Sequence, residues 1–279
     1  MNCGLRSPDL RAAFERDGYV VIDLLDTVEV AALRTAWAAL AGDLAAMAFS
    51  STAMSRDPGY RRQVHDRVGG VLGPAVLGRM DGYRFCLGSF LAKRPGTESG
   101  TVQWHQDWTF CDEDGPPAVG VWCPLTDVDD RNGCLRLVPG SHHLNRRPRG
   151  FLEQFPYPEF VPRLESDYAV ELPLRAGQAV VYSLRVFHSS QPNRSDDVRV
   201  VAGGLLIPSA APLLFLWRDA RHPGRLAVHA VPDDFYQTYL FGTPPSDDTF
   251  RGFVAEEFEP VTDDRLRQVL GGRHAGVRV

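Results

Sequence analysis

The chain has 279 residues, with 30 Lys and Arg against 35 Asp and Glu and a formal net charge of −5. That balance leaves no electrostatic footprint for nucleic acid or an anionic membrane surface, and no run of eighteen apolar residues is available to cross a bilayer. The five cysteines are odd in number and lack a CxxC pair, and the amino-terminal MNCGLRSPDLRAAFERDG has no secretory apolar run; buried thiols in a reducing compartment and a cytoplasmic location follow.

The opening is helical: Ser7 can cap, Pro8 sits in the first turn, and LRAAFERDG ends at Gly18, a natural helix stop. YVVIDLL is a short strand. Thr27 then caps a longer helix with Val30, Leu33, Trp37, Leu40, Leu44 and Met47 on its apolar face. From about residue 80 the pattern changes to β-rich runs separated by Gly, Pro, Asp and Asn: YRFCLGSFLA, TVQWHQDWTF, AVGVWCPLTDV, GCLRLVPGS, YAVELPL, AVVYSLRVFH and VRVVAGGLLIP. Short strands at such spacing predict an antiparallel sandwich or barrel. Between two of them, NRRPRGFLEQFPYPEFVPR is a Pro-rich insertion of the length used for lids or substrate contacts. Asn132 and Gly133 form a turn, Gly taking positive φ. A further helix is capped near Thr262. No composition break divides the chain, so residues 1–279 are read as one mainly β domain: a helical part over about 1–80, the β core over about 80–210, and an extension over about 211–279.

Four residues carry the chemistry. His105 and Asp107 form an HxD triplet, His188 lies in a later β-rich run, and Arg199 follows eleven residues on. Each spacing alone is expected about once by chance; order and context add the information. On a strand, residues i and i+2 share a face, so His105 and Asp107 aim at one point while Gln106 points away. Two imidazoles and one carboxylate are the ligand set of a non-haem Fe(II) site that keeps coordination positions open. A downstream Arg can grip the far carboxylate of a chelating 2-oxo acid with both arms of its fork.

These residues resemble the phytanoyl-CoA dioxygenase family of Fe(II)/2-oxoglutarate oxygenases. FERDGYVVIDLL is similar to the family's opening, LAKRPGTESGTVQWHQDW to its metal-binding strand, VWCPLTDVDDRNGCLRLVPGSH to its most recognisable block, and FHSSQPNRSDDVRVV to its second histidine and arginine. The resemblance implies a double-stranded β-helix (jelly-roll, cupin-like) core with flanking α-helices. It implies His105, Asp107 and His188 as iron ligands and as the catalytic centre. Arg199 would partner the distal carboxylate of 2-oxoglutarate, with Ser190, Trp122 and Lys93 beside that cosubstrate. Leu87 and Leu91 stand where some relatives carry Gln and Asn facing it. The expected reaction uses Fe(II), 2-oxoglutarate and O₂, releases succinate and CO₂, and hydroxylates a small molecule. Related halogenases have a small residue where Asp107 stands, so the carboxylate favours hydroxylation.

Desaturation, epoxidation or cyclisation on the same site is the alternative outcome, and a non-catalytic ligand-binding jelly roll the alternative class. Trp108, Phe110, Arg136 and Trp217 are candidate substrate contacts by proximity to the metal strands; Arg136 meets either an acidic group on the substrate or a core carboxylate. Arg and aromatic residues near the site suggest a small polar, amino-acid-like substrate, a natural-product scaffold being the other option. Arg146, Arg147 and Arg149 are read as a solvated basic loop in preference to a phosphate site. His142 and His143 are read as part of a tight turn.

Overall fold

The computed structural model describes residues 3–42, 47–151 and 154–271. In chain order the elements are α1 (Pro8–Asp17), β1 (Tyr19–Asp23), α2 (Thr27–Leu40), β2 (Phe49–Ser51), α3 (Pro58–Leu77), β3 (Tyr83–Lys93), β4 (Val102–His105), β5 (Val119–Pro124) and β6 (Leu135–Leu137). There follow the single helical turn α4 (Val161–Arg163), β7 (Val170–Leu172), β8 (Gln178–Ser183), β9 (His188–Ser190) and β10 (Arg199–Pro208). The chain closes with β11 (Leu213–Arg218), β12 (Arg225–Val231), α5 (Phe235–Thr238), β13 (Phe250–Ala255) and α6 (Asp263–Leu270). No helix among the described residues is long and apolar enough to cross a membrane.

Two antiparallel sheets face each other as a jelly roll. The larger has the order β1-β8-β5-β10-β3-β2 and the smaller β4-β9-β6-β7. Alternation along the larger sheet divides its side chains. Phe90, Val121, Val181, Val200 and Ala202 point outward and pack against Leu33 of α2 and Val64, Val68 and Leu72 of α3. Burying each such side chain contributes about 1.5–3 kcal/mol. The opposite residues of the same strands face the smaller sheet, where Trp122, Val180 and Val201 meet Leu135, Leu137 and Leu172. That packing fills one end of the sandwich, and the functional residues lie beside it.

Several local expectations hold and several change. Ser7 caps α1 by accepting from the Leu10 amide, and Gly18 closes it at φ 83°. Gly133 takes φ +77°, where a Cβ would sit 2.3 Å from the Gln191 carbonyl oxygen. The cap of α2 is Asp26, not Thr27: its carboxylate accepts from the Val28 and Glu29 amides while Glu29 reaches back to the Asp26 amide, a reciprocal pair that the Thr27 hydroxyl, already in the first turn, cannot make. Helix α2 ends at Leu40, so Met47 lies beyond its apolar face and is exposed, and Leu44 falls outside the described residues. Thr262 caps α6 as expected.

The Pro-rich insertion is not a free flap along its length. Tyr157 is buried with Phe187 and Leu266 in a cluster behind the smaller sheet, against which Phe155, Phe160 and Val161 also pack, and the Tyr157 hydroxyl donates to the Glu259 carbonyl at 2.8 Å. The carboxy-terminal extension holds a third sheet, β11-β12-β13, that was not read from the sequence. Its Phe215 joins Tyr236, Tyr239 and Phe110 in an aromatic cluster at the open end of the jelly roll.

Candidate metal centre

Strand β4 ends at His105, which lies opposite His188 of β9 in the ladder. Opposed residues share a face, and the two imidazole centroids are 4.0 Å apart. TVQWHQDWTF is therefore not one strand: Asp107 sits two residues past the end of β4, on a loop. AVVYSLRVFHSS likewise divides, Val186 donating to the Ser183 carbonyl in a turn between β8 and β9.

Loop anchoring takes the place of strand alternation. The Asp107 amide donates to the Leu184 carbonyl at 2.9 Å. Gln106 does point away from the metal donors, and its amide group donates to the Arg185 carbonyl at 2.6 Å and the Asn145 carbonyl at 3.2 Å. Arg149 Nε donates to the Asp107 carbonyl at 2.7 Å. Arg149 is thus neither a solvated loop cation nor a phosphate ligand. Its guanidinium is buried and donates to both oxygens of Glu113, which also accepts from Arg185 Nε at 3.0 Å.

The three donors converge. Asp107 Oδ1 is 3.8 Å from His105 Nε2, and Oδ2 is 3.8 Å from His188 Nε2. All three ligand atoms fall within 4.8 Å of one another, the single such cluster among the described residues. Three atoms so spaced share a point no more than about 2.8 Å from each, a cage that small side-chain adjustments close to the roughly 2.0–2.2 Å bonds of a divalent first-row ion. The far ring nitrogens fix the tautomer: His105 Nδ1 lies 2.8 Å from the Gln103 carbonyl and His188 Nδ1 2.9 Å from the Val186 carbonyl. A carbonyl can only accept, so Nδ1 carries the proton in each ring and Nε2 presents a lone pair. Desolvation, with His188 close by, pushes His105 down to about 4 against the opposing pull of Asp107, which keeps the ring neutral as metal binding requires.

Tyr182 of β8, which the sequence reading did not single out, donates its hydroxyl to Asp107 Oδ2 at 3.0 Å. Burial and the adjacent Asp107 charge hold the phenol well above its usual range, so it remains a donor. Room for its ring comes from Gly120 on the neighbouring strand, where a Cβ would stand 2.4 Å from the Tyr182 ring. Partners of this kind orient a ligand, and losing one typically lowers metal affinity about 10–100-fold. Tyr182→Phe should weaken Fe(II) or Co(II) binding by that margin in a competition titration; unchanged affinity would remove the assigned role.

Arg199, the first residue of β10, is 2% exposed. Its guanidinium lies 5.5 Å over the Trp122 ring, and neither Nε nor Nη1 has a hydrogen-bond partner. Burial lowers it to about 9. A buried guanidinium with open donors is costly without an anion, so the residues present fit a carboxylate there.

Lys93 pairs across from Arg199 and is fully buried. Desolvation and the nearby Arg199 push it down to about 6. Its Nζ donates to the Ser190 carbonyl at 2.8 Å and to that of Gln191, so it ties β3 to the end of β9 with its donors turned to the main chain. Ser190 shares the inward face of β9 with His188.

The candidate substrate residues separate. Trp108 and Phe110 line a cavity beside Asp107 together with Leu87 and Leu91. Arg136 does not reach it: it alternates with the inward Leu135 and Leu137, donates to Glu165 at 3.0 Å and lies 5.2 Å over Trp104 on the outer face of the smaller sheet. Of the two readings of Arg136, the carboxylate partner within the protein is the one realised. Trp217 stands 6.3 Å from Phe215 in the aromatic cluster behind the cavity and is absent from its wall. His142 and His143 lie next to Glu15, each Nε2 3.2 Å from its carbonyl, away from the donors.

A jelly roll holding two histidines and a carboxylate beside a buried arginine has the architecture of the non-haem iron, 2-oxoglutarate-dependent oxygenases. Residues 49–201 match the sequence profile of the family described as phytanoyl-CoA dioxygenase (PhyH), and the chain belongs to that family. It is 37% identical over 123 residues to "Phytanoyl-CoA dioxygenase domain-containing protein 1" of Danio rerio, covering 40% of each chain. It is 30% identical over 224 residues to an ectoine dioxygenase of Stutzerimonas stutzeri (strain A1501), covering 68% of this chain and 73% of that one. With the zebrafish and rice relatives the match spans only 40% and 38% of their length. Among solved structures, the non-haem alpha-ketoglutarate-dependent carbocyclase SnoK from nogalamycin biosynthesis superposes with TM-score 0.58 at 25% identity, over 76% of this chain and 88% of that one.

Proposed function

We propose that this protein is an Fe(II)- and 2-oxoglutarate-dependent dioxygenase that oxidises a small molecule, with hydroxylation as its outcome. The observation that carries the reading is the convergence of His105, Asp107 and His188 within 4.8 Å inside a jelly roll that also buries an unpartnered Arg199. Bound at the three donors, Fe(II) supplies a centre where 2-oxoglutarate and O₂ react to give succinate, CO₂ and an oxidised substrate. The protein's own part is geometric and electrostatic. The two backbone-fixed imidazoles present Nε2 to the metal, and the Tyr182-bound carboxylate of Asp107 fills the position that would otherwise admit chloride. Arg199, itself 2% exposed, holds the distal carboxylate away from bulk water with Trp122 packed beside it. Ser190 is proposed to assist Arg199, and Lys93 to act from behind, keeping the β9 end in place.

Desaturation, epoxidation or cyclisation is the second reading, favoured by the likeness to SnoK, a carbocyclase; an ectoine dioxygenase and an L-proline trans-4-hydroxylase of Streptomyces griseoviridis among the relatives favour hydroxylation. Product mass separates hydroxylation, a gain of one oxygen, from desaturation and cyclisation, a loss of two hydrogens; an alkene epoxide also gains one oxygen and is told from an alcohol by its lack of an exchangeable hydroxyl proton. The five cysteines are all free and buried, which supports a reducing, cytoplasmic setting.

The test is anaerobic addition of Fe(II) and 2-oxoglutarate, expected to give a weak visible charge-transfer band, followed by succinate release in air. Charge-assisted hydrogen bonds contribute about 1.5–3 kcal/mol each, so Arg199→Ala should raise the 2-oxoglutarate requirement at least about tenfold while the metal still binds. An unaltered requirement would detach Arg199 from the cosubstrate; no band and no succinate would leave a binding protein.

A further inference from the structure

Resting on the oxygenase reading above, we infer that the substrate is an uncharged, largely apolar ring compound held against Trp108 and Phe110, and not a zwitterion. The cavity beside Asp107 runs along the inward face of β3, β5, β8 and β10. Among the described residues that line it, Asp107 is the single charged one, and its carboxylate is assigned to the metal. The Tyr182 hydroxyl is spent on that same carboxylate. The remaining side chains are hydrocarbon and aromatic, and the polar groups among them are the neutral Ser89 hydroxyl and the Trp108 indole N–H.

The interior of the sandwich changes along β10, and the cavity occupies only part of it. Arg199 and Leu205 are six residues apart on β10, about 20 Å along a strand. Arg199, over Trp122, marks the cosubstrate end. Leu205, Leu87, Phe110 and Trp108 mark the other. The Trp108 and Phe110 rings are 5.9 Å apart and tilted by 33°. Phe151 supports Trp108 edge-on at 4.3 Å and Tyr236 supports Phe110 at 5.0 Å. Braced aromatic faces of this kind favour a flat ring system over a flexible polar chain.

The buried cations around the cavity are committed elsewhere. Arg149 and Arg185 share Glu113, Lys93 is held by two backbone carbonyls, and Arg199 is assigned to the cosubstrate. A substrate carboxylate at the Trp108 end would be buried without a counter-charge, and an ammonium group would find only a metal-bound aspartate. Unpaired buried charge is strongly disfavoured, whereas a neutral ring gains from every apolar wall.

The experiment starts from the anaerobic Fe(II)·2-oxoglutarate complex, whose visible band reports the parent reading by itself. That complex is titrated in a calorimeter with 2-naphthol and, separately, with L-proline. The inference expects 2-naphthol to bind at least about tenfold more tightly and Trp108→Ala, at a half-buried position, to weaken it about tenfold with the band retained. L-proline binding as tightly or more so, or no heat from 2-naphthol while the band is present, overturns it. A missing band strikes the oxygenase reading instead, and the same pair of titrations on the metal-free protein then decides the cavity's preference by the same criterion.

Discussion

Asp107→Ala and His188→Ala should each yield a folded protein that has lost tight Fe(II) binding, with succinate formation down by more than about a hundredfold, beyond the 10–100-fold typical of residues that only orient a ligand. Neither side chain contributes to the apolar core, and Asp107 is half-exposed, so the thermal transition should stay near that of the parent. The two variants fail differently. Without Asp107 the site loses its one negative charge and two neutral imidazoles remain, able to hold a soft divalent ion weakly. Without His188 it loses the donor deepest in the sandwich, along with the tilted ring 4.0 Å from that of His105. Metal competition titrations and succinate assays on both variants check this, and full activity in either would remove that residue from the ligand set.

Glu113→Ala should have the second-largest effect, on stability as much as on activity. One carboxylate with side chain 4% exposed neutralises two guanidiniums, Arg149 at 3% and Arg185 at 2%. Removing the shared partner of a buried pair typically costs about 3–5 kcal/mol, a large share of the roughly 5–15 kcal/mol that holds a domain folded. The loss is also local to the site. Arg149 Nε donates to the Asp107 carbonyl and the Arg185 main-chain carbonyl accepts from the Gln106 side chain, so both guanidinium-bearing segments grip the loop that carries the candidate metal carboxylate. Glu113→Gln keeps the shape but not the charge and is the better probe: its denaturation midpoint should fall and its metal affinity drop together. If stability falls while metal affinity is untouched, the cluster supports the fold without positioning Asp107.

The jelly roll was legible because strand alternation and the Gly, Pro and Asn punctuation are local, and β3, β5, β8 and β10 all coincide with apolar runs. Arg199 falls on the expected run as the first residue of β10, whereas His188 opens a separate strand, β9, because a turn after Ser183 divides the run read around it. Asp107 was placed at the right point for the wrong reason, since a loop anchored by Leu184, Gln106 and Arg149 does what continuous pleating was expected to do. The third sheet went unread: β12 and β13 mix apolar residues with Arg225, His229 and Arg251, and four of the six positions of β13 are exposed.

The three candidate donors and the candidate anchor arginine were legible in the sequence through their order, their context and the family resemblance, and the layered β architecture through period-two burial, which is a short-range property of residue types. Which cations are free was decided only by the tertiary structure. Arg136, Arg149 and Arg199 carry the same side chain, yet Glu165 holds the first, Glu113 the second, and neither Nε nor Nη1 of the third has a partner. Those carboxylates lie 29 and 36 residues from the arginines they hold. Pairing across such separations follows from how sheets and loops close on one another, which no local pattern encodes.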